Sequence, residues 1–179
     1  MKTTYIFLSD SVEEIEALAA IDILRRAQVP IISVSMNETL TVLSSHGVTI
    51  AADVLFAECD FSDADYLILP GGSTRLNDYD ELKSLLVAHN QRGGRLAAIC
   101  AAPMVLGGLG LLDGKRATCY PGFEGMLGSA TFVAEPVVVD GSTITANGAG
   151  SAMAFGYALV EQICGEQRSV EIQQQMMFK

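Results

Sequence analysis

The chain has 179 residues, half of them apolar, and a formal net charge of −10 at pH 7. This length and composition predict one globular domain over residues 1–179 and exclude an intrinsically disordered protein. The acidic charge argues against nucleic acid or an anionic membrane as a partner, and no apolar run reaches the roughly 18 residues of a membrane span.

The first half of the chain alternates predicted strands with predicted helices. Residues 11–14, Ser-Val-Glu-Glu, match a capping box with Ser11 as the N-cap and Glu14 at N3, and Pro30 blocks continuation of the helix. Apolar runs and turn residues predict the following elements: a strand at 4–8, a helix from about 11 to 27, a strand at 31–36, a small hairpin of 42–43 and 48–50 that turns near His46 and Gly47, a strand at 66–69, a helix at 80–91 and a strand at 96–99.

The second half predicts a glycine-containing apolar segment at 104–112, strands near 116–119, 131–133, 137–139 and 143–146, a hairpin turn at 140–141, a helix at 150–163 and a shorter helix at 169–177. Alternating strands and helices predict an α/β fold with a mostly parallel central sheet covered on both faces. In such a sheet, ligands bind at the carboxyl ends of the strands. Three predicted loops meet at that edge, residues 9–13, 70–73 and 100–102, and we expect the functional residues among them.

Cys100 is the main candidate for a reactive residue, because an apolar strand ends abruptly at its thiol. Small side chains lie two residues away on either side, Ala98 and Ala102, as a nucleophile elbow requires. Such a turn would place the sulfur over the N-terminus of the next helix, where backbone N–H groups and the helix dipole favour the thiolate. The alternative is a buried cysteine that packs as a small hydrophobic residue.

Glu16 interrupts an apolar face of the first predicted helix, whose other members are Ala19, Ala20, Ile23 and Ala27. Its carboxylate either lies in solvent at the edge of this face or is buried near the strand ends for a functional purpose. If it is buried, its pKa rises, and Glu16 could exchange protons with Cys100 and a substrate. The N–H groups of Gly72 and Ala101 would then form an oxyanion hole, with Gly71 lining the same pocket.

The two histidines argue against hydrolysis by a cysteine–histidine–acid triad, because neither follows Cys100 in the sequence. His89 is predicted to face solvent on a helix, whereas His46 lies in the predicted hairpin turn and could reach the pocket across a subunit contact. With two histidines and no clustered cysteines, a structural zinc site is not expected. The absence of C-x-x-C spacing among four cysteines predicts a reducing, cytoplasmic setting.

Five segments together resemble the ThiJ/PfpI superfamily, in particular its Parkinson-disease protein-deglycase branch. They are residues 11–16 (Ser-Val-Glu-Glu-Ile-Glu), 21–27 (Ile-Asp-Ile-Leu-Arg-Arg-Ala), 69–72 (Leu-Pro-Gly-Gly), 97–103 (Ala-Ala-Ile-Cys-Ala-Ala-Pro) and 147–150 (Asn-Gly-Ala-Gly). The resemblance covers nearly the whole chain and implies a flavodoxin-like, three-layer α/β sandwich that is usually a homodimer. It also implies that Cys100 is the reactive cysteine, that Glu16 is its partner, and that Gly72 and Ala101 supply oxyanion-type amides.

Three pocket candidates stand where this chain departs from the pattern of that family. Tyr120 lies where a histidine is common, and a phenol is a poor base at neutral pH although it can donate a hydrogen bond. Ala149 lies in residues 148–151, where the family often has Gly-Pro-Gly-Thr, and His46 replaces a common arginine.

Three functions compete at this point. In the first, the Cys100 thiolate attacks a 2-oxoaldehyde such as methylglyoxal and Glu16 moves the proton, without metal or organic cofactor, as in the glyoxalase and deglycase activities that the resemblance implies. In the second, Cys100 is an oxidation sensor that forms a sulfinate, in a stress-response protein or holdase chaperone. The third, a nucleotide-binding module, is disfavoured because residues 9–14 are acidic and lack the glycine-rich phosphate fingerprint.

Overall fold

The computed structural model of the chain describes residues 2–178. These residues form five α-helices: α1 (Glu14–Arg26), α2 (Asp80–Gln91), α3 (Pro103–Gly108), α4 (Ala152–Cys164) and α5 (Glu166–Gln175). They also form eleven strands: β1 (Thr3–Leu8), β2 (Ile31–Ser35), β3 (Thr41–Leu43), β4 (Thr49–Ala51), β5 (Val54–Leu55), β6 (Ala64–Leu69), β7 (Arg95–Ile99), β8 (Arg116–Ala117), β9 (Thr131–Phe132), β10 (Val137–Asp140) and β11 (Thr143–Ala146). No helix within this described part of the chain is long and apolar enough to cross a membrane.

The central sheet of the described residues has seven strands, in the spatial order β10-β11-β7-β6-β1-β2-β5. Every neighbouring pair is parallel except β10 and β11, which form an antiparallel hairpin at one edge. Without the two-residue edge strand β5, the parallel strands β1, β2, β6, β7 and β11, numbered along the chain, lie in the order 2-1-3-4-5 of flavodoxin-like folds. The predicted flavodoxin-like sandwich is therefore confirmed, and its strand order reverses between β1 and β6, where such folds bind ligands.

Two apolar cores cover the two faces of the sheet, and β1 contributes to both. Ile6 and Leu8 belong to the core that contains α1, α4 and α5, whereas Tyr5 and Phe7 belong to the core that contains α2 and α3. All four side chains are at most 3% exposed. Burial of each large apolar side chain contributes about 1.5–3 kcal/mol, so a strand buried on both faces must be apolar at nearly every position.

Most predicted elements are confirmed with small shifts in their ends, including the β3–β4 and β10–β11 hairpins. The strands β8 and β9 are shorter than predicted and form a separate parallel pair. The sequence does not predict β5, because a two-residue strand carries too little of the alternating pattern. The helix α5 begins at Glu166, three residues earlier than predicted.

The start of α1 differs from the predicted capping box. Ser11 is not the N-cap, because its φ is +66° and its N–H donates to the carbonyl of Leu43 (2.7 Å), so the chain turns once more before the helix. The helix begins at Glu14, and its N-cap is Glu13, whose Oε2 accepts the N–H of Glu16 (2.8 Å). The capping acceptor thus lies two residues later than predicted, and position N3 belongs to Glu16.

His89 is buried, so the prediction that it faces solvent is wrong. Its Nε2 lies 2.9 Å from the carbonyl oxygen of Asp65 and 3.2 Å from that of Arg95. Gly94 makes room for the ring, because a Cβ at that position would collide with the imidazole. Burial lowers the pKa of His89, so the folded protein holds the neutral ring, with Nε2–H as the donor to the two carbonyls.

We expect the substitution His89→Phe to lower the free energy of unfolding by about 1–3 kcal/mol at neutral pH, because it leaves two buried carbonyls without their donor. The difference in free energy of unfolding between the wild type and the variant should become smaller as the pH falls below about 6.5. At such pH values His89 binds a proton in the unfolded chain but not in the folded protein, so the wild type loses stability and the variant does not. Urea unfolding across this pH range measures both effects. A deficit that stays constant with pH would contradict the buried neutral histidine.

Candidate active site

Cys100 lies in the turn between β7 and α3. Its φ is +66°, a left-handed conformation that costs about 1–2 kcal/mol for a residue with a Cβ. Its N–H donates to the carbonyl of Ala146 (2.9 Å), and its own carbonyl accepts the N–H of Tyr120 (2.8 Å). These bonds hold the strained turn of a nucleophile elbow, and the residue is partly exposed rather than sealed in the core.

The residues around the turn agree with the predicted elbow, but the helix that follows has a weaker dipole effect on the thiol than expected. The flanking side chains of Ala98 and Ala102 are buried, at 0% and 3% exposure, so larger side chains would not fit there. The helix α3 has only six residues and begins with Pro103, which has no N–H to offer. The dipole of so short a helix therefore has a smaller effect on the thiol than the sequence predicts, and individual N–H groups near the sulfur have a larger one.

Glu16 is fully buried, so its carboxyl group does not lie in solvent at the edge of the apolar face of α1. Its Oε2 accepts the N–H of Gly71 (2.7 Å). Among residues 2–178, no partner of good hydrogen-bond geometry reaches its buried Oε1, although the Cys100 thiol is close enough to perturb the pKa of the carboxyl group. The carboxyl group therefore faces the strand ends and keeps one oxygen available.

Gly71 lies between the carboxyl group and the thiol. A Cβ at this position would lie 2.5 Å from Cys100 Cβ, 2.8 Å from Glu16 Oε2 and 3.0 Å from Cys100 Sγ. The first two distances are shorter than any Cβ contact in real proteins, so the two side chains can meet only across a glycine. Gly72 has a φ of +98°, and a Cβ there would collide with the backbone of Ser11 and Glu13.

The carboxyl group and the thiol both have a raised pKa, and burial is the largest cause for each. Burial raises the pKa of Glu16 to about 7, against the opposing effect of the Gly71 N–H. The pKa of Cys100 is raised to about 11, first by burial and then by the negative charge of Glu16, whereas the N–H groups of Gly72 and Ala101 lower it. The thiolate that the sequence predicts is therefore favoured only when Glu16 is protonated, because the repulsion then disappears and the two amides remain.

The remaining pocket candidates lie at different places around this centre. Tyr120 is 49% exposed and its ring lies against Gly148, where a Cβ would be 3.3 Å from Tyr120 Cδ2. Ala149 begins the short 3-10 turn that follows β11, the strand next to β7. His46 lies in the β3–β4 hairpin, with Nδ1 3.0 Å from a carboxylate oxygen of Glu14.

Glu13 is the site residue that the sequence pattern fails to single out. Its side chain caps the N–H of Glu16 (2.8 Å), and its own N–H donates to the carbonyl of Gly71 (2.9 Å). The only sequence signal is an acidic residue three positions before Glu16, and acids are common in a first helical turn for electrostatic reasons. The contact with Gly71 exists only in the folded chain.

Residues 2–162 match the DJ-1/PfpI family. Protein DJ-1 homolog B of Arabidopsis thaliana is 38% identical over 176 residues, which cover 96% of this chain and 40% of that protein, so the chain spans less than half the length of this relative. The protein named glutathione-independent glyoxalase DJR-1.2 of Caenorhabditis elegans is 28% identical over 89% of this chain and 87% of that protein. The structure of oxidized Toxoplasma gondii DJ-1 has a TM-score of 0.95 to this chain, with 31% identity and 99% of both chains covered.

The strain at the elbow predicts a difference between two substitutions of Cys100. Cys100→Gly should have a free energy of unfolding about 1 kcal/mol higher than Cys100→Ala, because glycine adopts a positive φ without a Cβ penalty. At the buried Cys119, whose φ is not positive, the alanine variant should be the more stable of the two. Glycine there only increases the conformational freedom of the unfolded chain. Urea unfolding of the four variants measures this, and equal stability of the two Cys100 variants would contradict the left-handed turn.

Proposed function

Because the chain belongs to the DJ-1/PfpI family and to its DJ-1 branch, we propose that it converts small 2-oxoaldehydes such as methylglyoxal, or their adducts, by a cysteine-dependent reaction without glutathione. Cys100 is the nucleophile and Glu16 the proton carrier. The observation that carries the proposal is the approach of a thiol on a strained turn to a buried carboxyl group across Gly71. The relative named as a glutathione-independent glyoxalase supports this reaction class.

The first step forms a bond between sulfur and the aldehyde carbon. The thiol proton passes to Glu16, whose Oε1 has no other hydrogen-bond partner within the described residues. The sulfur of Cys100 then adds to the carbon, and the electron pair of the C=O bond moves to the oxygen. The N–H groups of Gly72 and Ala101, which lie at the sulfur, stabilise the thiolate and then this oxyanion. The oxygen takes the proton back from Glu16, which gives a hemithioacetal.

The second part of the reaction moves a proton between the two substrate carbons. The Glu16 carboxylate removes the hydrogen of the former aldehyde carbon as a proton, the electron pair of the C–H bond forms a C=C bond, and the ketone oxygen becomes the negative oxygen of an enediolate. The hydroxyl proton of the first carbon moves to this oxygen, and Glu16 returns its proton to the neighbouring carbon, which gives a thioester. Water hydrolyses the thioester to a hydroxy acid and the free thiol. One substrate molecule and one water give the acid, so the balance contains no external oxidant, metal or organic cofactor. We assign the half-exposed ring of Tyr120 to substrate contact at the rim.

Oxidation sensing is the second candidate function, and the donors around the sulfur favour it. The N–H groups of Gly72 and Ala101 and a protonated Glu16 would each donate to the oxygens of a Cys100 sulfinate. The thiol is partly exposed, so peroxide can reach it. The Toxoplasma gondii relative was solved in an oxidized form.

We also propose that the chain acts as one domain of residues 1–179 in the cytoplasm and forms a homodimer. Four exposed apolar side chains support the dimer, on α1 and on the β3–β4 hairpin next to it: Ile15 (54%), Leu18 (42%), Leu43 (51%) and Val48 (45%). The hairpin adjoins the start of α1 through the bond from the Ser11 N–H to the Leu43 carbonyl. A second copy would remove this apolar surface from water. A reducing compartment suits the free cysteines.

The enzymatic proposal predicts conversion of methylglyoxal to lactate in the absence of glutathione. Cys100→Ser and Glu16→Gln should each lower kcat/KM at least about 100-fold, because one removes the nucleophile and the other the proton carrier. A lactate assay with purified protein measures this. Cys164→Ser, which changes a thiol on α4 remote from the elbow, is the matched control and should keep wild-type turnover.

The outcomes separate the two candidate functions. Turnover that survives in both variants would overturn the assignment of Cys100 and Glu16. A wild type without turnover, in which peroxide adds about 32 Da (two oxygen atoms) to Cys100, would instead support oxidation sensing. Mass spectrometry of the intact protein and of its peptides reads this addition.

The dimer proposal predicts that Leu18→Glu gives a monomer in analytical ultracentrifugation at micromolar concentration, because a carboxylate would be buried in the interface without a partner. Val139→Glu is the control, since Val139 is similarly exposed (39%) but lies on the edge strand β10. It should leave the dimer intact. A wild type that sediments as a monomer would contradict the proposal.

A further inference from the structure

Glu13 is an acidic side chain that the proposed reaction does not use, although it contacts the residue that carries the proton. Its Oε2 accepts the N–H of Glu16 (2.8 Å), and its own N–H donates to the carbonyl of Gly71 (2.9 Å). The Gly71 N–H in turn donates to Glu16 Oε2 (2.7 Å). Glu13 is only 9% exposed, whereas glutamates mostly lie in water. A nearly buried carboxylate is therefore bonded to both residues that position the Glu16 carboxyl group.

The negative charge of Glu13 acts on Glu16 more than on Cys100. Glu13 is the N-cap of α1 and Glu16 follows three residues later, so the two carboxylates share one helical turn, and like charges at that spacing repel each other. This repulsion adds to burial in raising the pKa of Glu16. The charge that raises the pKa of Cys100 is that of Glu16 and not that of Glu13. Glu13 therefore favours a proton on the Glu16 carboxyl group over a proton on the sulfur.

The neighbouring elements bring few other charges to Glu13 and Glu16. Charged or titratable groups come from the preceding loop, from the β3–β4 hairpin, from the elbow and from α1 itself: Asp10, His46, Cys100 and Glu14. The His46 Nδ1 is closer to Glu14 Oε1 (3.0 Å) than to Glu13 Oε1 (3.9 Å), so the imidazole pairs first with Glu14. The helix α4, which packs against α1, has one charged side chain, the exposed Glu161 in its last turn. Among residues 2–178, no lysine or arginine forms an ion pair with Glu13 or Glu16.

We propose that Glu13 is a positioning residue that acts through Glu16, because its negative charge holds the proton of the Cys100–Glu16 pair on the carboxyl group and so favours the thiolate. The proposal rests on the proposed function for the roles of Cys100 and Glu16. In the form of the pair with one negative charge, the S–H bond breaks, an O–H bond forms at Glu16 Oε1, and the electron pair stays on sulfur. A second carboxylate beside Glu16 disfavours the alternative form, in which Glu16 carries the charge. An acidic residue thus promotes a thiolate that it does not contact.

The test is the rate at which iodoacetamide alkylates Cys100 at pH values from about 5 to about 9, because the thiolate is the reactive form. Glu13→Gln removes the charge but keeps an oxygen that accepts the Glu16 N–H. It should slow alkylation near neutral pH about threefold, which corresponds to about half a pKa unit. Mass spectrometry of peptides separates Cys100 from the other cysteines. Glu14→Gln, the same change one residue later, is the matched control and should keep the wild-type rate, since its carboxylate faces His46.

A second background separates this electrostatic role from a purely structural one. Protein that carries Glu16→Gln has no carboxyl proton to hold, so the further change Glu13→Gln should no longer slow alkylation there. The proposal is overturned if Glu13→Gln alone reacts as fast as the wild type, if Glu14→Gln slows the reaction equally, or if the slowing persists in the Glu16→Gln background. Because methylglyoxal turnover is not the readout, failure of this proposal leaves the proposed function unaffected.

Discussion

The hydrogen bond from the Gly71 N–H to Glu16 Oε2 (2.7 Å) joins parts of the chain that are 55 residues apart. It belongs to a closed set of three bonds, since the Glu16 N–H donates to Glu13 and the Glu13 N–H donates to the Gly71 carbonyl. These bonds fix the start of α1 against the end of β6. The thiol of Cys100 can approach the carboxyl group only because Gly71 has no side chain. One backbone contact thus determines whether the candidate site exists.

The electrostatics of the site follow from placing this carboxyl group in the interior. Three glutamates lie within four residues at the start of α1, and one of them, Glu16, is fully buried. Burial makes its neutral form more stable, so its pKa rises towards neutral pH, and the charge of its ionised form raises the pKa of Cys100. The two groups therefore favour a single shared negative charge. That condition suits proton transfer between them more than it suits a permanently ionised thiolate.

The sequence was most informative where the deciding interactions are local. Apolar runs and turn residues predict most of the strands and helices. Small residues around Cys100 predict the elbow, which its φ of +66° confirms. It was wrong where a distant backbone group competes for a side chain or an N–H. The Ser11 N–H donates to the carbonyl of Leu43, and Ser11 is not the N-cap. The His89 ring is buried, with Nε2 at hydrogen-bond distance from the Asp65 carbonyl. Helical periodicity contains no information about either partner.

The sequence by itself determined the α/β class, the mostly parallel sheet and the candidates Cys100 and Glu16, because these depend on residue type and on spacing along one strand or helix. Only the tertiary structure decided that Glu16 points inward and that Glu13 supports it. It also decided that His46 lies beside two carboxylates at the start of α1. The physical reason is that burial and charge pairing are set by neighbours from other elements, and those neighbours are brought together only by the packing of the sheet and its helices.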